Sequence, residues 1–422
     1  METLLVLIVV WFGASVGLLV LLYGRSLAAA WREPVLGFPV LIFESDDWGP
    51  GPDDDATALR NLAATLAEVR DSTGRPAVMT LGIVAAIANG PAILASGNSR
   101  YVRRTLADPD FAAVLGAMRA GCRSGVFALQ RHGLEHFWPA SVLARLAGDS
   151  GAGSGEADVL QRWLRDVWAR SEDLPAPLQS RWVDCAHLPS TALAPAEIDR
   201  AVCEEADLLR QVFGATLHVA VPNTFVWDDN VERAWVASGV RCVVTPGCRY
   251  EARDEAGKLV APTRRMHNGA RGCGDVCYVV RDVYFEPMRG HRAERVWEAL
   301  AAKVAEGRPT LLETHRANFI GPAATREAAL AELERALRGA LLRHPDLRFM
   351  STAELADALC DVDSPGRVRM WRRRLAAWCV RVGHEPGMAR LLRFSGLGAI
   401  LQAAGYLLGD VTFRRSPDPS RC

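Results

Sequence analysis

Eight short, β-rich apolar runs alternate with helical patterns along this chain, and the alternation leaves few folds open to it. The runs cover residues 38–44, 76–84, 125–130, 218–222, 241–246, 278–286, 310–315 and 347–351. Apolar residues at helical spacing fill 54–70, 109–120, 195–213, 230–238, 292–306 and 325–343. Strands separated by helices pair in parallel through crossover connections. Eight of them predict an α/β fold, an irregular (β/α) barrel that is closed or nearly closed; a doubly wound open sheet is the alternative. One connection is oversized. Residues 131–217 leave room for a helical insertion, interrupted by a flexible Gly/Ser stretch at 148–155. Half of the 422 residues are apolar, so a large core is available. The net charge is zero, which argues against a nucleic-acid partner.

In parallel α/β folds the C-terminal strand ends converge on one mouth. The first run ends there in two adjacent carboxylates, Asp46 and Asp47, followed by Trp48 and Gly49. Two such neighbours can divide the work, one holding a metal and one moving a proton. The plainer reading is a turn with an Asx cap. His132 and His136 directly follow the third run at i, i+4 spacing. On a helix both rings would share one face and one metal. Gly133 stands where the metalloprotease helix motif needs Glu. An Asp with two His makes an open three-ligand site with room for water and substrate. His315 ends the seventh run, after Leu311 and Leu312.

Taken in order, these motifs resemble the polysaccharide deacetylase family, a carbohydrate esterase group with the NodB-homology fold. The resemblance rests on Ser45-Asp46-Asp47-Trp48-Gly49, on His132 and His136, and on Leu312-Glu313-Thr314-His315, and it spans residues 38–352. Finer features at Pro222-Asn223, Phe285-Glu286-Pro287 and His315-Arg316 resemble an uncharacterised branch of that family. The resemblance implies roles residue by residue. Asp46 is the base. Asp47, His132 and His136 hold one divalent metal, zinc by donor type. His315 is the acid, and its ordinary pKa of ~6.5 suits proton delivery to a leaving amine. Trp48, Trp138 and Trp227 can form sugar-stacking walls or, the plainer reading of each one, sit in the core, and Asn223 and Arg316 are further candidate substrate contacts. One feature departs from the family, whose third motif carries an Arg two residues before Pro to orient the base. Ala220-Val221-Pro222 lacks it, and Arg264, Arg265 and Arg316 are the candidate replacements.

The activity so implied is a metal-dependent hydrolase that removes N-acetyl groups from an amino sugar of a polysaccharide or glycolipid. A glycoside hydrolase using Asp46 and Glu313 is one alternative. A non-catalytic subunit of a polysaccharide biosynthesis machine is another.

Residues 4–23 carry no charge and form a run about 30 Å long as a helix, the thickness of a bilayer core. The expected organisation is a transmembrane anchor at 1–30, the barrel at 36–360 and a basic, Trp-containing membrane-interface tail at 361–422. A cleavable signal peptide competes with the anchor, with Ala28-Ala29-Ala30 as its cleavage site. Arg25 and Arg32 follow the run, and the positive-inside rule then places the barrel on the cytoplasmic side of a bacterial plasma membrane. The tail mixes Arg367, Arg372 and Arg374 with Trp371 and Trp378 before an apolar stretch at 391–408 that Gly interrupts. It reads as an interfacial element, or else as a helix packed back on the barrel. Ten scattered cysteines suggest a reducing compartment, with Cys273 and Cys277 as a loop pair.

Overall fold

The structure, a computed structural model, describes residues 2–148, 154–361 and 363–408. Most of the glycine-rich stretch at 148–155 and the end of the tail therefore lie outside the described residues. Eight parallel strands form the sheet: β1 (Val40–Trp48), β2 (Met79–Ile83), β3 (Phe127–Arg131), β4 (Val219–Ala220), β5 (Cys242–Thr245), β6 (Cys277–Val280), β7 (Val283–Tyr284) and β8 (Thr310–His315). Their order is β6-β5-β4-β3-β2-β1-β8-β7, and a short β9 (Arg348–Phe349) pairs with the start of β1. The chain is thus an irregular (β/α) barrel.

The run at 278–286 is not one strand. β6 and β7 lie at opposite edges of the sheet, yet only Arg281 and Asp282 separate them. Three residue steps reach about 11 Å at most, so the sheet must curl until its edges nearly meet. Among the described residues β6 and β7 do not pair with each other, and the chain itself crosses the seam. Periodicity could not show this, because the residues on both sides of Arg281 are apolar and β-prone.

Side chains along each strand alternate between the helices outside and the barrel interior. On β1, Leu41 and Phe43 join the core beneath the outer helices, while Val40 and Ile42 face Val219, Val244, Val279 and Leu311. Glu44 and Asp46 continue the same inward row. Glu313 and His315 continue the row of Leu311 on β8, and Arg281 that of Val279. The interior is therefore apolar at the N-terminal strand ends and charged at the C-terminal ends.

The principal helices are α1 (Glu2–Arg32), α2 (Asp53–Ala67), α3 (Ala112–Arg123), α4 (Pro195–Phe213), α5 (Asp229–Ala237), α6 (Ala293–Ala305), α7 (Ala323–Arg343), α8 (Thr352–Cys360), α9 (Trp371–His384), α10 (Ala389–Ser395) and α11 (Leu397–Leu408). Leu355 and Leu359 of α8 plug the apolar end of the barrel. Two further helices, Pro139–Ala147 and Ser154–Arg165, stand in the expected insertion. α1 is long and apolar enough to cross a membrane. The tail helices α9 to α11 pack on the second half of α1, where Leu19, Tyr23, Leu27 and Ala30 meet Val382, Met388, Leu392 and Leu397.

Cys277 and Cys360 form a disulfide that ties β6 to the end of α8, so Cys277 is not half of a loop pair with Cys273. Disulfides belong to oxidising compartments, which runs against the reducing one suggested by cysteine scatter.

Gly82 on β2 leaves the space that the Asp46 carboxylate fills. A Cβ added there would lie 2.3 Å from Asp46 Oδ1. We expect Gly82→Ala to lower unfolding stability by about 1–3 kcal/mol, the usual cost of overpacking, as read from denaturant melts. An unchanged midpoint would show that Asp46 is free to move.

Candidate functional site

At the mouth of the barrel β1 breaks its own alternation. Its register with β2 shifts between Ser45 and Trp48, and Asp47 adopts φ 70. Asp is one of the few side chains that tolerates this left-handed conformation. The local twist lets two consecutive carboxylates serve one site, which a regular strand would forbid. Trp48 beneath them is fully buried and donates its indole N–H to Ser45 Oγ at 2.9 Å.

His132 and His136 do come together, but not on a helix. β3 ends at Arg131, and the chain turns through Gly133 at φ 95. A Cβ at Gly133 would approach Glu135 O to 2.6 Å, so only glycine fits there. The Gly133 N–H donates to Glu205 at 3.0 Å, and Asn223 Nδ2 donates to His132 O at 2.8 Å. Between the two histidines Glu135 is buried and gripped by Arg103 at 2.7 Å and Arg181 at 2.6 Å. The loop is thus held at Gly133 N, at His132 O and at the Glu135 carboxylate, and the ring centroids stand 4.8 Å apart.

The Nε2 atoms of His132 and His136 each lie 3.5 Å from Asp47 Oδ1. That is long for a hydrogen bond. It is close to the edge of a tetrahedron whose centre-to-ligand distances are ~2.0–2.2 Å, as around zinc. Asp47 Oδ1 is buried without a hydrogen-bond partner, and so is His136 Nδ1. His132 Nδ1 pairs with Val221 O at 3.0 Å, which leaves Nε2 as its free lone pair. One carboxylate oxygen and two imidazole nitrogens converging on one point fit a divalent metal. Burial would raise the Asp47 carboxyl, but the neighbouring His136 and His132 outweigh it and hold the group ionised.

Beside this trio lies a second cluster of Asp46, Glu313 and His315, whose ligand atoms lie within 4.8 Å of one another. It already holds a cation. The Arg281 guanidinium reaches Asp46 at 2.7 Å, Glu44 at 2.8 Å and Glu313 at 3.1 Å. Arg281 is 1% exposed, and its three carboxylate neighbours keep it firmly protonated despite burial. Burial pushes Glu44 and Glu313 up. Asp46 is held low, because Arg281 and His132 overcome its burial. One guanidinium thus keeps the central carboxylate ionised. Arg281, and not Arg264, Arg265 or Arg316, is the arginine that contacts Asp46. Arg264 and Arg265 are exposed on a hairpin, bonded to Arg271 O and to Glu385. Arg316 is buried and bonded to Glu172 of the insertion at 3.0 Å.

His315 is the most exposed of these groups, its side chain being 33% accessible. Its Nδ1 lies 2.6 Å from Glu286 Oε1, and Asn318 Nδ2 donates to the other Glu286 oxygen. Burial alone would lower the His315 pKa, but the Glu286 bond, with Asp47 and Asp46 behind it, pushes it up to about 9. The ring is therefore cationic at neutral pH, not poised near its ordinary pKa.

The residues expected to touch substrate fare differently. Trp48 and Trp227 are each 0% exposed, so neither ring has a face free for a sugar; Trp227 donates to Glu232 at 2.8 Å. Trp138 is buried beside the Arg181 guanidinium. Asn223 is buried and positions the histidine loop. The residues that sequence reasoning missed are Arg281, Glu286, Glu135 and Glu205. Glu286 and Glu135 stood inside recognised motifs, whereas Arg281 and Glu205 carried no local signal.

No family profile matches the sequence, and no curated protein does. Solved structures do resemble it. One is a protein from Mycobacterium smegmatis assigned as a polysaccharide deacetylase, with 11% identity over 80% of this chain and 97% of that one, at a TM-score of 0.41. A family 4 carbohydrate esterase from Streptomyces lividans, solved with acetate, shares 12% identity over 79% and 97%, at a TM-score of 0.33. A family 4 acetyl xylan esterase from Clostridium thermocellum, solved with cobalt, shares 12% over 75% and 89%, at a TM-score of 0.32. At these values the likeness carries no residue-by-residue meaning.

Removing the guanidinium should leave three buried carboxylates without their counter-ion. We expect Arg281→Ala to cost about 3–5 kcal/mol of stability, the range for breaking a buried ion pair, measured by chemical denaturation. A loss under 1 kcal/mol would mean that the carboxylates are already neutral.

Proposed function

We propose that this protein is a metal-dependent hydrolase that removes the N-acetyl group from an amino sugar of a polysaccharide or glycolipid. The observation that carries the reading is the adjacency of three things at one mouth: an Asp/His/His trio, an ionised Asp46 and a cationic His315. Asp47, His132 and His136 would hold the metal. When bound, that ion supplies the Lewis acidity that activates water and polarises an amide carbonyl. Asp46, kept ionised by Arg281, accepts the proton from the attacking water. His315, kept protonated by Glu286, delivers a proton to the departing amine nitrogen. Base and acid stand on neighbouring strands, since Asp46 is directly paired with His315 in the β1–β8 register. Amide cleavage needs such a pair, because the amine leaves only when protonated.

A glycosidase would need two carboxylates flanking the scissile bond. Asp46 and Glu313 are the only pair that sequence reading offered, and the Arg281 guanidinium binds both. That arrangement leaves no gap between them for a sugar.

α1 supports a retained span. Cleavage at Ala28-Ala29-Ala30 would strip the tail helices of Leu19, Tyr23 and Leu27, against which they pack. Arg25 and Arg32 favour a barrel on the cytoplasmic side and the Cys277–Cys360 disulfide favours the opposite side; accessibility labelling of the barrel in intact cells decides between them.

Two tests follow from the roles. Asp46→Asn should keep the metal and lose activity on an N-acetylated glycosaminoglycan oligomer by roughly 10²–10⁴-fold, whereas His136→Ala should lose both. Loss of metal from Asp46→Asn would exchange the roles of ligand and base. The rate should also fall as pH rises through about 9, where His315 gives up its proton. Glu286→Gln removes the leading cause of that elevation, so the alkaline limb should move down towards the ordinary value of ~6.5. An unmoved limb would take the acid role away from His315.

A further inference from the structure

We infer that α9 to α11 and the second half of α1 form one membrane-embedded base, which holds the barrel with its N-terminal strand ends on the bilayer and its mouth pointing away. The partner of this surface is a lipid layer with anionic headgroups. The inference goes beyond the catalytic reading and rests only on α1 being a span.

The first argument is length. The uncharged run at 4–23 is as long as the bilayer core is thick, about 30 Å. α1 is buried at Ser15, and the tail packs on it at Leu19, Tyr23, Leu27 and Ala30, so the covered part spans the last turns of that run and continues past its end. By connectivity the tail helices sit at one face of the membrane, beside the last turns of the span and the headgroup layer beyond it. Their outer faces suit that level. Phe394, Tyr406 and Leu407 are 76%, 80% and 80% exposed, and Ile400 is half exposed. Exposed Trp371 and the cations Arg372, Arg390 and Arg393 stand on the same helices. Aromatic and apolar side chains mixed with arginine match the headgroup boundary, and each cation near an anionic leaflet gains about 1 kcal/mol.

The second argument is rigidity. Tyr23 Oη donates to Gly387 O at 2.7 Å, and Trp378 Nε1 donates to Leu27 O at 3.0 Å. Arg381 is 3% exposed and binds backbone carbonyls on two segments at once: Ala30, Glu33 and Pro34 at the end of α1, and Glu306 of the barrel. Its guanidinium satisfies the open carbonyls at the end of α1 and bolts anchor, tail and barrel together. Glu33 is itself clamped by Arg308 at 2.7 Å and Asn268 at 2.9 Å.

The third argument is direction. Arg308 stands two residues before β8, and the anchor therefore joins the barrel where the strands begin. Asp46 and His315 lie at the strand ends. Six residues of β8 rise about 20 Å, so the site stands roughly that far beyond the bolted joint.

The test uses the full chain in liposomes containing anionic lipid. A non-natural residue carrying a fluorophore replaces Phe394, Tyr406 or, beside the mouth, Ala323. All three positions are exposed, so the label should not disturb folding. Lipids bearing a nitroxide below the headgroup then quench whatever lies in the bilayer. We expect several-fold stronger quenching at 394 and 406 than at 323. Quenching at 394 and 406 no greater than at 323 overturns the embedded base, and equal strong quenching at all three overturns the outward mouth. Release of the protein by alkaline carbonate would instead show that α1 is not a span, which removes the premise and with it the inference.

Discussion

A single guanidinium sits where the barrel would otherwise come apart. Arg281 lies on the seam between β6 and β7 and is fully buried, and its fork reaches carboxylates on β1 and β8. A buried arginine needs counter-ions, and buried carboxylates need a cation. Each therefore forces the presence of the other. The same contact pulls the edge of β6 toward β1 and β8, which lie across the interior. Charge pairing does here what a ladder of hydrogen bonds does in a regular barrel.

That contact also divides the chemistry. Of the three carboxylates around Arg281 it holds Asp46 ionised, while burial pushes Glu44 and Glu313 up. Because the guanidinium already fills the second cluster, Asp47, His132 and His136 are left, among the described residues, as the group whose ligand atoms converge with no cation among them. His315 is tuned independently, from the outside, by Glu286. In the proposed reading, a base (Asp46) and an acid (His315) of opposite charge face each other across one strand pair. Their pKa values are pushed apart by different partners, the pattern by which acid and base roles are assigned.

The sequence was most legible where a local rule held. β8 ends at His315 as expected, because an apolar run stopped by a polar residue marks a strand end. α4 matches its expected span, helped by Pro195 at its first position and Gly214 after it. Asp46, Asp47 and the histidine pair could be grouped because strand ends converge. What failed were inferences from spacing alone. The i, i+4 histidines suggested a helix, but Gly133 in a left-handed turn produces the same approach. Arg281 lies 235 residues from Asp46 in sequence and inside what reads as one continuous strand, so no local pattern could pair them. Trp48 and Trp227 neighbour motifs, yet Trp48 follows the site carboxylates on a strand and packs beneath them, while Trp227, off the sheet, turns inward to donate to Glu232. The elevation of His315 was equally invisible, since Glu286 meets it only through the fold.

The central claim is that one cation site is open, at Asp47, His132 and His136, and that Arg281 closes the other. Crystals of the protein grown with zinc, measured on both sides of the metal absorption edge, test both halves at once. The account predicts one anomalous peak, ~2.0–2.3 Å from Asp47 Oδ1 and the two Nε2 atoms, with Arg281 still on Asp46 and Glu313. A peak among Asp46, Glu313 and His315, with the guanidinium displaced, would contradict it.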